Sequence, residues 1–241
     1  MILAVDLGNT NIVFGLFRGK KLLRQWRHPT SNFKLPASRY KIRKIIIASV
    51  VPALNKKLMR QIVKQYGVKP YFVTAENIPT LKVLLKNKRE IGADRVVDAL
   101  AAYKLYGGPA IVVDFGTATT FDIISAKGEY QGGVIAPGIT LARDALYEQT
   151  AKLPKIEISS PTRVIGKDTV SAIRSGLVFG YVALVEGMIA RIKSEVRAKN
   201  IKVIATGGLA GLICKYTKVV DRIDAKLTLQ GLQMIGAILN G

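Results

Sequence analysis

Asp6-Leu7-Gly8-Asn9-Thr10-Asn11 and, 108 residues later, Asp114-Phe115-Gly116-Thr117-Ala118-Thr119-Thr120 are the two stretches that decide the fold. Each follows a short apolar run (residues 1–5 and 110–113) and leads into a second one (residues 12–17 and 121–124). Strand, tight turn, strand is the pattern of a β-hairpin, with small and hydroxyl residues at its bend. Glycine lets backbone N–H groups approach a phosphate, and Thr or Asn side chains add donors. An aspartate ending the first strand repels phosphate but is well placed to hold a cation that binds it. A plain hairpin explains one such turn equally well. Two copies with matching flanks point to duplicated halves gripping one nucleotide. No Gly-x-x-x-x-Gly-Lys-Ser/Thr occurs, and no Gly-x-Gly-x-x-Gly follows a strand, which sets aside Walker and dinucleotide-binding loops.

Outward from these turns the chain reads β-β-β-α-β-α twice. In the first half strands are expected at residues 1–6, 12–17, 21–27, 44–50 and 71–73, with helices at 53–66 and 93–106. In the second half strands are expected at 110–114, 121–125, 129–135, 201–205 and 219–220. Helices are expected there at 139–147, 169–199, 209–216 and 228–239. Gly107-Gly108-Pro109 marks the boundary between a domain at 1–107 and another at 108–241.

A chain of 241 residues with 49% apolar and 22% charged content is globular and long enough for two cores. The start carries no signal-peptide pattern, and no uncharged apolar stretch reaches the ~18 residues of a membrane span. The longest, residues 175–185, stops at Glu186. No membrane partner and a cytoplasmic location are therefore expected. Cys214 is the one cysteine, so no internal disulfide can form, and a small core residue in a reducing compartment is expected. The only histidine, His28, lies outside every motif and reads as a surface residue. The net charge of +21 brings nucleic acid into consideration. Its basic residues read as dispersed, with mild clusters at 41–44, 56–57, 82–89 and 191–202. No aromatic-interleaved basic strand is visible, so nucleic acid is not the expected partner.

Duplicated halves with Asp-x-Gly hairpins resemble the actin, sugar-kinase and acetate-kinase superfamily. The fold this implies is α/β, with two ribonuclease-H-like (actin-like ATPase) domains related by duplication and a nucleotide cleft between them. The motifs Asp6 to Asn11, Gly92-Ala93-Asp94-Arg95, Asp114 to Thr120, Gly132-Gly133-Val-Ile-Ala-Pro-Gly138 and Ala205-Thr-Gly-Gly-Leu209, in this order, resemble the type III pantothenate kinases. Residues 227–232 also fit. The segment between Arg27 and Lys44 is short, and the helix usual there is not evident.

The resemblance implies transfer of the γ-phosphoryl group of ATP to the primary hydroxyl of pantothenate, the first step of coenzyme A synthesis. Such a reaction needs charge neutralisation, alignment and a carboxylate to accept the hydroxyl proton. Asp94 is the candidate base, and Arg95 can fork onto the pantothenate carboxylate. Gly92 and Ala93 complete that turn. An aspartate capping the helix beside a solvated arginine would explain the same residues. The first turn (Asp6, Leu7, Gly8, Asn9, Thr10, Asn11) and Thr117 are candidate ATP contacts, with Gly207 and Gly208 nearest the nucleoside. Asp6 is expected to hold Mg²⁺, through water, and Asp114 a monovalent cation, K⁺ or NH₄⁺. Thr169 matches a threonine that reaches pantothenate from the partner subunit of a homodimer, although an N-cap would account for it too. The helix from Thr169 is expected at that interface, with Ile173, Leu177, Tyr181, Leu184 and Met188 recurring at helical spacing. Leu85 stands where the family carries a tyrosine beside the pantothenate pocket, and Lys88 where it carries proline. A nucleotide-binding transcription accessory factor, or a kinase or phosphatase for another small molecule, would share the fold.

Overall fold

A computed structural model describes residues 1–37 and 39–239. Its first strands are the expected meander: β1 (Ile2–Leu7), β2 (Asn11–Arg18) and β3 (Lys21–Pro29). β1 and β2 are antiparallel, with Leu7 opposite Ile12, and β2 pairs with β3 the same way. β4 (Lys44–Ser49) runs parallel to β1 on its other side. α1 (Pro52–Tyr66) then crosses over to β5 (Tyr71–Phe72), parallel to β4. Pro52 suits a first helical turn, where its missing N–H costs nothing, and Gly67 ends the helix at φ 67°. Sheet order is β3-β2-β1-β4-β5. Ile45 and Ile47 face the cluster that holds Leu58 and Ile62 of α1. Ile46 faces the other way, onto Gly236. That two-sided burial is why the strand reads as an unbroken apolar run.

β6 (Lys82–Val83), α2 (Ala93–Tyr106), β7 (Ala110–Phe115), β8 (Ala118–Ile124) and β9 (Glu129–Pro137) follow. The remainder is α3 (Ile139–Glu148), α4 (Thr169–Val196), β10 (Lys202–Thr206), α5 (Ala210–Ile213), β11 (Arg222–Ile223) and α6 (Leu227–Ile238). In the second half the order β9-β8-β7-β10-β11 repeats that of the first. β7 and β8 are antiparallel, and β10 is parallel to both β7 and β11. The same order twice is the duplication expected from the two turns.

The chain divides into two compact units. Residues 1–105, 128–131 and 226–239 make the first, and residues 106–127 and 132–225 the second. The single division expected at Gly107 differs in two respects. Glu129 and Tyr130, at the start of β9, pair with Lys82 and Val83 in the first unit. α6 also lies there, against β1 and β4, burying Leu227, Leu229, Leu232 and Ile235.

Three local expectations change. The strand expected at Val219 and Val220 forms at Arg222–Ile223, while both valines pack on the second core. The helix expected at 209–216 becomes α5 followed by a 3₁₀ turn at Cys214–Tyr216. β6 was not expected, and it forms by pairing with the start of β9. Between β3 and β4 the described residues form only a 3₁₀ turn, Thr30–Asn32. His28 is half-buried, edge-on to Phe14 at 6.3 Å, rather than a plain surface residue. Cys214 packs on the second core, where burial pushes its thiol up to about 11.

α4 bears on two readings at once. Once its charged residues are tolerated, it holds an 18-residue window of mean hydropathy 1.5, long and apolar enough by length and composition to cross a membrane. Its apolar side chains are used internally, with Leu177, Val178, Val185 and Ile189 buried in the second core. Leu177 and Tyr181 are buried there, and Ile173, Leu184 and Met188 pack against the same cluster. These five positions therefore build the unit's own core and argue nothing about a dimer. The exposed face of α4 carries Ala172, Gly176, Gly180, Ala183, Gly187 and Ala190.

Helix α6 can approach α2 only because Gly231 has no side chain. A Cβ there would lie 2.6 Å from the Val97 carbonyl oxygen. Gly231→Ala is expected to destabilise the protein by about 1–3 kcal/mol through overpacking. A lower urea midpoint at an unchanged slope checks this, and an unshifted midpoint contradicts it.

Candidate active site

The first turn is closed by the Gly8 amide donating to the Asn11 carbonyl at 3.0 Å. Thr30, buried in the 3₁₀ turn after β3, holds it from outside. Its hydroxyl donates to the Gly8 carbonyl at 2.7 Å, and its amide donates to the Thr10 carbonyl at 3.0 Å. Asn9 and Thr10 remain exposed at the tip. Asp6 is part-exposed at the end of β1, between Val13 and Ala48 in the sheet. Thr30 is a positioning residue that the sequence did not reveal, because it lies 20 residues after the loop tip it supports.

The Gly92–Arg95 turn stands at the same end of the first sheet. The Val50 amide donates to the Leu7 carbonyl at 3.1 Å, and the Val50 side chain faces Gly92. Asp94 is in the first turn of α2 and accepts a 2.8 Å hydrogen bond from the Arg95 amide. That satisfies one of the donors a helix start leaves open. The carboxylate folds back over Gly92, where a Cβ would lie 2.5 Å from Asp94 Oδ1. Desolvation raises the Asp94 pKa above the ordinary carboxylate value, against the opposing pull of the Arg95 amide and charge. The helix-start reading and the chemical reading thus meet in one residue.

In the second unit, the Gly116 amide donates to the Ala118 carbonyl at 3.1 Å, closing the turn between β7 and β8. Thr117 is exposed at its tip. Two further glycines press on this turn. A Cβ on Gly138 would overlap the Thr117 carbonyl at 2.1 Å. A Cβ on Gly207, at φ 91°, would lie 2.4 Å from Asp114 Oδ1. Gly116 lines the other oxygen, at 3.3 Å from where its Cβ would be. The Asp114 carboxylate therefore lies close against the backbone of Gly116 and Gly207. Gly208 follows in the same turn, and its Cβ position meets nothing within 4 Å.

Among the described residues no group of three or more His, Cys, Asp or Glu could hold a metal. A cation at Asp6 or Asp114 would thus share its shell with water, carbonyl oxygens or phosphate, which fits hard ions of low protein coordination. Thr169 is exposed as the first residue of α4, but it is not the cap. Asp168 caps the helix, accepting from the Ser171 amide at 2.8 Å. Leu85 is half-buried just after β6. Lys88 opens a 3₁₀ turn, Lys88–Glu90, capped by Asn87.

Residues 2–191 match the family model for type III pantothenate kinase. The type III pantothenate kinase of Moorella thermoacetica is 47% identical, over 98% of this chain and 98% of its own length. Among solved structures, a conserved Campylobacter jejuni protein assigned to the Baf family of transcriptional activators superposes with a TM-score of 0.65 at 23% identity, covering 98% of both chains. A Sinorhizobium meliloti protein assigned as a 2-dehydro-3-deoxygalactonokinase gives 0.63 at 12% identity, covering 100% of this chain and 99% of the other. At such identities these two structures bear on the fold alone.

The raised pKa of Asp94 has a consequence for stability. The native state binds this proton more readily than the unfolded chain, so the contribution is complete below the ordinary carboxylate pKa. It is lost as pH rises through the window up to the native pKa. Asp94→Asn removes that loss. The variant is expected to be more stable than the parent at pH 7 and to lose the advantage below the ordinary carboxylate range. Urea melts at both pH values check this, and equal midpoints at pH 7 contradict it.

Proposed function

The chain belongs to the type III pantothenate kinase family, and from that premise we propose which of its residues carry the chemistry. The activity is phosphorylation of pantothenate by ATP, the first step of coenzyme A synthesis. Asp94 accepts the proton of the primary hydroxyl as that oxygen attacks the γ-phosphorus, giving 4'-phosphopantothenate. The observation that carries this is the desolvated carboxylate folded over Gly92 at the sheet end that also bears the first turn. Its raised pKa makes it a better proton acceptor. Arg95, the next residue, forks onto the pantothenate carboxylate.

Gly8, Asn9, Thr10 and Thr117 are the phosphate contacts, with Gly207 and Gly208 beside the nucleoside. Asp6 holds Mg²⁺ through water, and Asp114, in its glycine cradle, holds K⁺ or NH₄⁺. These cations supply neutralisation of the phosphate charge. Leu85 lines the pantothenate pocket with an apolar wall. We place the enzyme in the cytoplasm.

The reading includes a homodimer through α4, to which Thr169 contributes across the interface. Its support is the exposed stripe of Ala172, Gly176, Gly180, Ala183, Gly187 and Ala190, which lets a second helix approach closely.

Two measurements test these assignments. In a coupled assay with ATP and pantothenate, Asp94→Asn should lose turnover by a factor on the order of 10²–10⁴, the usual worth of a general base. Near-parental turnover removes Asp94 from this role, and a parent protein inert on pantothenate removes the whole reading. In sedimentation the parent should run at twice 26.2 kDa. A bulky side chain at Gly180, where a Cβ meets nothing within 4 Å, should halve that mass without unfolding the chain. A monomeric parent contradicts the dimer.

A further inference from the structure

Between Leu7 and Ala75 the chain has no aspartate or glutamate, while 15 of its 37 lysines and arginines lie there. The charge is therefore not dispersed, because this stretch lies wholly in the first unit. Aromatic residues that are separate in sequence meet these cations in the fold. Trp26 of β3 lies opposite Phe14, and Trp26, Phe33 and Tyr40 pack against the core cluster that includes Leu58 and Ile62 of α1. All three stay half-buried, on the side of the sheet that α1 covers. Each has a cation over its ring: Arg24 at 5.3 Å from the Trp26 centroid, Arg18 at 5.3 Å from Tyr40, and Lys57 at 6.0 Å from Phe33. Phe33 also borders, with Lys34 and Lys64, an open groove of about 470 Å³.

We propose that this face of the first unit, built on Arg18, Arg24, Trp26, Phe33, Tyr40 and Lys57, binds single-stranded nucleic acid. Half-exposed rings among basic side chains suit an unpaired strand, since a base can take the place of the cation over a ring while that cation meets a phosphate. Duplex nucleic acid keeps its bases stacked internally and cannot use the rings. A lipid surface would call for apolar side chains free to insert, whereas these rings are half-buried against the core. Neither Trp26 nor its neighbours belong to the kinase residues, so the surface is additional to the phosphoryl-transfer site.

Trp26 is the only tryptophan and reports directly on this face. The test titrates the full protein, with ATP present at saturation, against a 20-nucleotide oligo-dT. Expected are a saturable change in tryptophan emission, an affinity that falls steeply between 50 and 200 mM KCl, and weaker binding of a duplex of equal length. Arg24→Glu and Lys57→Glu should each weaken oligo-dT binding about tenfold with pantothenate turnover unchanged. Loss of that turnover in every protein, with oligo-dT binding intact, would leave this proposal standing while sinking the kinase assignment. Binding without any change in Trp26 emission overturns the proposal, as does equal affinity for the duplex. Preference for phosphatidylserine vesicles over oligo-dT overturns it in favour of a membrane surface.

Discussion

Backbone occupying the place of a side chain is the constraint on which this site depends. Asp94 can fold back only because Gly92 has no Cβ, and Asp114 can sit beside β10 only because Gly207 has none. Gly138 does the same for the second turn, lying where a methyl group would overlap the Thr117 carbonyl. Two carboxylates are thereby held in fixed backbone cradles rather than on flexible arms. Little side-chain freedom is left to lose at either carboxylate when a charged ligand arrives, which is what preorganisation means.

The sheets explain why these cradles recur. A central parallel pair, β1 with β4 and β7 with β10, ends in each unit at a turn that bears the aspartate. An antiparallel partner then returns the chain through a glycine bend. The apolar interior of each strand set fixes the register, since a slip of one residue would turn every buried side chain outward. Turn geometry is thus inherited from core packing, and duplicating the core duplicated the turn. The copies have diverged most between the third and fourth strands: among the described residues, one 3₁₀ turn in the first unit, and α3 with α4 in the second.

Most of this was legible in the sequence because its causes are local. Apolar runs gave the strands, Pro52 and Gly67 bracket α1, and the Asp-x-Gly turns stand where the structure has them. What could not be read depends on partners distant in the chain. Thr30 supports the first turn from across β3, and β6 exists only through its pairing with the start of β9. The residues of α4 chosen as an interface satisfy the same spacing as core residues, and spacing alone does not distinguish the two. The basic aromatic face was missed for a similar reason: Trp26, Phe33 and Tyr40 are seven residues apart and belong to no one strand. Only the packing of the segment between β3 and β4 brings them to one core.

α6 has an implication for the order in which the molecule can be made. Residues 227–238 complete the first unit, yet they are synthesised after the whole of the second. Until they arrive, β1 and β4 lack the apolar cover that Leu229, Leu232 and Ile235 supply. The amino-terminal half must therefore wait, partly uncovered, while the later half has all its own parts and can close first. That reverses the usual sequence of domain folding on the ribosome. A nascent chain interrupted anywhere before α6 would leave that face of the sheet without its apolar cover.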